Sequence, residues 1–246
     1  FGTLCHDVFG FTITFAGVGL LSLLSLPLGR LSQGQKTIPP RTGSDCTKGQ
    51  GSWPFICFGT IMGLVGGGMI ISTLGLVLKA RFGASLSLAG LTVGAATLTG
   101  TVLAIRHLID GLGGPVLGAV VDRVGRDRAI GVLFLLGSSL LFLAGILGSI
   151  QWLVLVITVY FVCATALYTA LYAQSGKKGP RAVASFATAM DLGMSIGPLI
   201  GWSIAQFRLP LSSIFMTCAF FYALGAALAF PALKSRPTGC SKGSAP

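Results

Sequence analysis

Gly118-Ala-Val-Val-Asp122-Arg123-Val-Gly125-Arg126-Asp127-Arg128 is the stretch whose reading decides the fold. About thirty mostly apolar residues lead into it and about twenty follow, each enough for a membrane-spanning helix. Charges of both signs, mixed with glycine between two such runs, mark a tight, water-facing turn joining two membrane helices. Gly118 lets a neighbouring helix approach closely. Asp122 and Arg123 close the first helix where hydrocarbon gives way to water. Gly125 can take the positive φ that reverses the chain. Arg126 and Arg128 reach the headgroups and favour the cytoplasmic side.

The composition fits. The 246 residues are 53% hydrophobic and only 9% charged, with a mean hydropathy of +0.86; a soluble domain carries about 25% charge. Apolar runs of spanning length recur without strand-like alternation, so the expected fold is an all-α membrane protein. The 36 glycines suit close helix packing in lipid. A net charge of +11 would suggest nucleic acid in a soluble protein. Here the bases cluster between apolar runs, so the reading is a lipid bilayer and no nucleic acid. Cysteines 5, 46, 57, 163, 218 and 240 show no metal spacing and read as inert; no metal or cofactor is expected.

Seven spans follow in order, at about 8–28, 53–78, 87–121, 129–150, 151–172, 183–206 and 211–233, each near the length a bilayer needs. The third is long for one helix and is expected to bend at Gly111–Pro115. A Pro/Gly/Ser-rich segment, 29–52, carries Arg30, Lys36, Arg41 and Lys48 and reads as a basic cytoplasmic linker. Residues 234–246 form a polar tail. With linker, charged turn, the loop at 177–181 and the tail inside, thirteen of the seventeen basic residues lie on one side. The N-terminus is then outside and the C-terminus cytoplasmic. The first residue is Phe1 with no basic leader before it, so the chain reads as a fragment.

The turn at 118–128 resembles the inter-helix loop signature of the major facilitator superfamily, roughly G-x-L-A-D-R-x-G-R-R/K. Val121 replaces a usual small residue and Asp127 a usual basic one. The run Asp191-Leu-Gly193-Met-Ser-Ile-Gly197-Pro198-Leu-Ile-Gly201 offers glycines one turn apart as a smooth packing face. It is similar to the G-x-x-x-G-P-x-x-G run on helix 5 of drug–proton antiporters, here on the pseudo-equivalent helix 11. Major facilitators are two six-helix halves, each of inverted three-helix repeats. The resemblance implies that 1–28 is helix 6, the last of the first half, and that 53–233 is the second half, helices 7–12. The alternative, that 53–233 is the first half, has against it the missing arginine in its fourth helix and the span before the linker. The missing N-terminal half would then be the partner of this one.

Polar groups at mid-bilayer are expensive and point to function. Arg106 and Asp110 are one helical turn apart and can pair. At 1.5 Å per residue they lie roughly 16–23 Å from the charged turn, near the bilayer middle. Asp191 reaches a similar depth on the sixth span, and His107 neighbours Arg106. These four are the candidate proton or substrate site. Equally, Arg106 with Asp110 or Asp191 could lock two helices together. The polar residues Thr60, Ser72, Thr73, Thr158, Tyr160, Thr165, Tyr168 and Thr169 are the remaining pore candidates and suit an uncharged or amphipathic solute.

The resemblance implies secondary transport of a small solute by alternating access, with Gly118, Asp122, Arg123, Gly125, Arg126 and Arg128 as a conformational-switch motif. Proton-coupled efflux of a hydrophobic or amphipathic compound leads. Alternatives are a metabolite symporter and a non-transporting membrane sensor or scaffold. With no nucleophile–base pair, HExxH or phosphate loop, an enzyme is not expected.

Overall fold

The computed structural model describes residues 53–83, 85–88 and 91–234, with Ala16 alone before them. The expected span at 8–28, the linker at 29–52 and nearly all of the tail lie outside the described residues. Among the described residues, six helices are long and apolar enough to cross a membrane. They are α1 (Trp53–Phe82), α2 (Ala95–Val124), α3 (Arg126–Ile146), α4 (Ile150–Lys178), α5 (Pro180–Gln206) and α6 (Ser212–Lys234).

The third expected span is corrected at its start. Residues before Ala95 form an antiparallel pair, β1 (Ser85–Leu88) with β2 (Leu91–Gly94), in the register Ser85↔Gly94 to Leu88↔Leu91. Gly83, at φ +89°, ends α1, and Gly94 stays extended before α2 begins. Glycine at both ends and the alternating Ser-Leu-Ser-Leu favour a short hairpin over more helix. α2 is thereby shortened to 30 residues, the length of α1. The other helices start and stop within a few residues of expectation, except that α4 runs on to Lys178.

Two helices carry wide π turns. In α1 it covers Gly63–Ile70, and in α2 it covers Ile109–Gly113, where a bend was expected. Glycine-rich sequence relaxes the side-chain constraints that keep a helix regular. Pro198 sits inside α5, which continues through it. It cannot donate to the carbonyl one turn back.

The helices pair in a repeating scheme. α1 and α5 run parallel: Gly59 faces Phe186, Gly68 faces Gly197, and Gly201 faces Thr73. α2 and α4 also run parallel, with Arg106 over Phe161 and Gly118 against Thr169. α3 and α6 run antiparallel, with Gly131 by Phe230 and Gly145 by Met216. Exchanging α1–α3 with α4–α6 turns the α1–α5 pair into the α4–α2 pair and returns α3–α6 to itself. That is the signature of an inverted repeat.

The centre is aromatic. Phe134 lies 5.4 Å from both Phe58 and Tyr222, and Tyr222 lies 5.5 Å from Tyr160. Tyr160 is fully buried and donates to Tyr222 Oη at 2.9 Å, whose own hydroxyl reaches Met62 Sδ at 3.4 Å. Tyr160 therefore belongs to the core and not to a pore wall. At the end away from the charged turn, Arg81 donates to the carbonyls of Gly145 (2.9 Å) and Leu147 (3.2 Å). A cation there satisfies the last carbonyls of α3 and complements its dipole.

Candidate functional site

Between α1, α2, α4 and α5 lies a cavity of about 370 Å³, lined by Met62, Gly66, Arg106, Asp110, Phe161, Thr165, Tyr168, Met190 and Met194 among others. This is within the usual range for a small-molecule site. Its charge comes from one turn of α2. Arg106 Nε stands 3.6 Å from Asp110 Oδ2, and Arg106 is mostly buried while Asp110 is half exposed. The guanidinium also lies 5.1 Å over the Phe161 ring and reaches the Gly66 carbonyl at 3.4 Å. That carbonyl sits in the π turn of α1. Thr165 on α4 donates to Asp110 Oδ1. One ion pair therefore touches α1, α2 and α4.

Of the four candidate residues, Arg106 and Asp110 come together in the cavity. His107 points away and is exposed. Asp191 is exposed on α5, between the cavity-lining Met190 and Met194, and Tyr168 stands within electrostatic reach of both it and Asp110. No ion pair of Asp191 is seen among the described residues.

Gly193 and Gly197 of α5 meet α1 backbone to backbone, and Gly201 meets the Thr73 side chain. A Cβ on Gly193 would collide with Thr60 O and Leu64 N. One on Gly197 would come within 2.6 Å of Gly68 Cα, and one on Gly201 within 2.7 Å of Thr73 Cγ2.

At the charged turn, Gly125 has φ +96°, the region glycine enters freely. Arg126 donates to both carboxylate oxygens of Asp122, across the turn, with Nη2–Oδ2 at 2.8 Å. Asp127, the apparent departure in the charge pattern, accepts a hydrogen bond from Gln174 near the end of α4. Asp122, Arg126, Arg128, Gln174, Lys177 and Lys178 surround a charged hollow of about 700 Å³. Lys178 lies 4.8 Å over the Phe55 ring, tying α4 to the start of α1.

Sequence reasoning did not find the Gly66 carbonyl, the Phe161 face or the three methionines of the cavity. An isolated methionine or carbonyl carries no pattern, and its role depends on which helix lies opposite. Thr165 was singled out as polar, but its pairing with Asp110 needed the α2–α4 register.

Six apolar spans among the described residues, four of them lining a mostly apolar cavity that holds one ion pair, define an integral, multi-pass membrane protein. Residues 56–245 match the family model of the Major Facilitator Superfamily, and the chain belongs to that family of secondary transporters. No curated protein matches the chain.

Proposed function

We propose that the chain supplies the second half, helices 7–12, of a twelve-helix transporter that exports a hydrophobic or amphipathic solute in exchange for protons. The carrying observation is the Arg106–Asp110 pair facing a mostly apolar cavity whose large side chains are Met62, Met190, Met194, Phe161 and Tyr168, with Thr165 and Thr169 beside them. Methionines adapt to varied apolar shapes and aromatic faces accept flat rings or cations. Asp110 is the proton carrier and Arg106 its counter-charge. Asp191 supports the same orientation of the bundle, because an exposed carboxylate at this depth belongs against protein or water and not lipid. The missing N-terminal half closes the cavity, the basic ends and C-terminus are cytoplasmic, and the 118–128 turn latches one state of alternating access.

The test is solute transport by the full-length protein in proteoliposomes under an imposed pH gradient. Asp110→Asn is expected to abolish gradient-driven accumulation while exchange down a solute gradient persists. Undiminished gradient-driven transport by Asp110→Asn overturns the reading.

A further inference from the structure

Thr165 has one hydroxyl proton and two acceptors. Its Oγ1 lies in donor range of Asp110 Oδ1 on α2 and, at 3.0 Å, of its own helix's Phe161 carbonyl. Thr158 and Thr169 on the same helix also back-bond to the carbonyl four residues earlier, at 2.8 Å, with no side-chain partner among the described residues. That back-bond is the ordinary resting place of a helical threonine hydroxyl. At Thr165 alone it competes with a carboxylate.

We infer that Thr165 is a positioning residue that senses the protonation state of Asp110 and holds α2 to α4 in both states; this rests on Asp110 being the proton carrier. When Asp110 is ionised it can only accept, so Thr165 gives its proton to Oδ1. When Asp110 takes up a proton, its new O–H donates to Thr165 Oγ1, and the threonine turns its own proton to the Phe161 carbonyl. No covalent bond of the protein breaks. One proton enters the carboxyl, one hydrogen bond reverses direction, and one back-bond forms. The α2–α4 contact survives the change. The Arg106 contact loses its charge complement, leaving the guanidinium to the Gly66 carbonyl in the π turn of α1 and the Phe161 ring. Protonation thus moves a cation's allegiance from α2 toward α1 without parting α2 from α4.

The groups facing Asp110 leave few rivals for this role. Arg106 lies on its own helix, Tyr168 with Thr165 on α4, and Asp191 on α5 shares with Asp110 the neighbourhood of Tyr168. α1 contributes the Gly66 carbonyl and no titratable side chain to the cavity lining.

The experiment is infrared difference spectroscopy of the carboxyl C=O band across pH, with the pH profile of transport, in full-length wild type, Asp110→Asn, Thr165→Val and Thr165→Ser. Valine keeps the shape and removes the hydroxyl; serine keeps the hydroxyl. The wild-type band lost in Asp110→Asn is expected at the frequency of a hydrogen-bond-donating carboxyl. In Thr165→Val the band moves toward that of a free carboxyl. The transport midpoint moves up by about one pH unit, since a bond to an ion is stronger than a neutral one. Thr165→Ser tracks wild type.

A wild-type band at the free-carboxyl frequency overturns the inference even if Thr165→Val does not fold. So does a Thr165→Val band and profile equal to wild type. If Asp110→Asn leaves both the bands and the pH profile unchanged, the proton-carrier reading itself falls, and this inference with it.

Discussion

The α1–α5 and α2–α4 contacts are equivalent under exchange of the two helix triplets, yet they are made of different material. In α1–α5, backbone meets backbone: Gly63 against Met190, Gly68 against Gly197, and Gly193 against Thr60 and Leu64. In α2–α4 the contact runs through side chains, with Arg106 on Phe161 and Asp110 on Thr165. Helices in lipid adhere by close packing or by hydrogen bonding, since lipid supplies no hydrophobic drive between them. The first contact has one arrangement and resists change. The second is built of groups with alternative partners, since Arg106 also reaches the Gly66 carbonyl and Thr165 the Phe161 carbonyl. One of the two equivalent contacts is a brace of packed backbone, and its counterpart carries the ion pair.

The sharpest way to break this contrast is to add a side chain to one glycine in each contact. Gly197→Val drives side-chain atoms into the backbone of Leu64, Gly68 and Met69, which have nowhere to go. Overpacking of this kind costs about 3 kcal/mol, and thermal melting in detergent is expected to fall by roughly 6–12 °C. Gly118→Ala meets only Thr169 Cγ2, at 3.1 Å, on a side chain that can turn. Alanine also gains about 1 kcal/mol of helix propensity. Its melting should move by less than about 3 °C, with either sign. Equal losses at both positions would erase the distinction between brace and site.

Arg106→Gln sharpens the functional side. Glutamine retains reach and a donor but supplies no charge for Asp110. Transport under a pH gradient is expected to fall about tenfold, equivalent to ~1.4 kcal/mol in the barrier, with a melting loss smaller than that of Gly197→Val. Unchanged transport with a large melting loss would make this pair a second brace.

How much of this was legible in the sequence follows from what each feature depends on. The spans and the turn were readable because length, hydropathy and charge are local properties, and membrane helices satisfy their backbone locally. The glycine face of α5 was readable because its period matches a helix turn. Its mate, Gly63 to Gly68, could be recognised as glycine-rich, but not as facing residues 190 to 197. The Ser85–Gly94 hairpin was hidden because its residues are apolar enough to extend the following span. The cavity was half legible. Arg106 and Asp110 declare themselves as costly charges in an apolar run, while Gly66, Phe161 and Met194 acquire meaning only from the register between helices. His107, adjacent in sequence to Arg106, is exposed and off the cavity wall, since neighbours on a helix point about a hundred degrees apart.

The smallest expected effect on folding belongs to the charged turn, and it extends the contrast beyond the two helix pairs. Asp122 is exposed and Arg126 partly so, and ion pairs in contact with water add little to stability. Asp122→Asn should therefore leave melting unmoved. Gly125 still reverses the chain, and Asp127 still receives Gln174. What changes is the charge that the turn presents beside Lys177 in the hollow at that end. If this turn latches one state of the transporter, removing the carboxylate shifts the distribution between states with no loss of folded protein. Double electron–electron resonance between spin labels on the two halves of the full-length protein would read that shift as a change in relative distance populations. Unchanged populations together with unchanged transport would reduce the turn to a connector. A fall in melting comparable to Gly197→Val would instead make it a third structural brace, and would place the conformational switch elsewhere in the bundle.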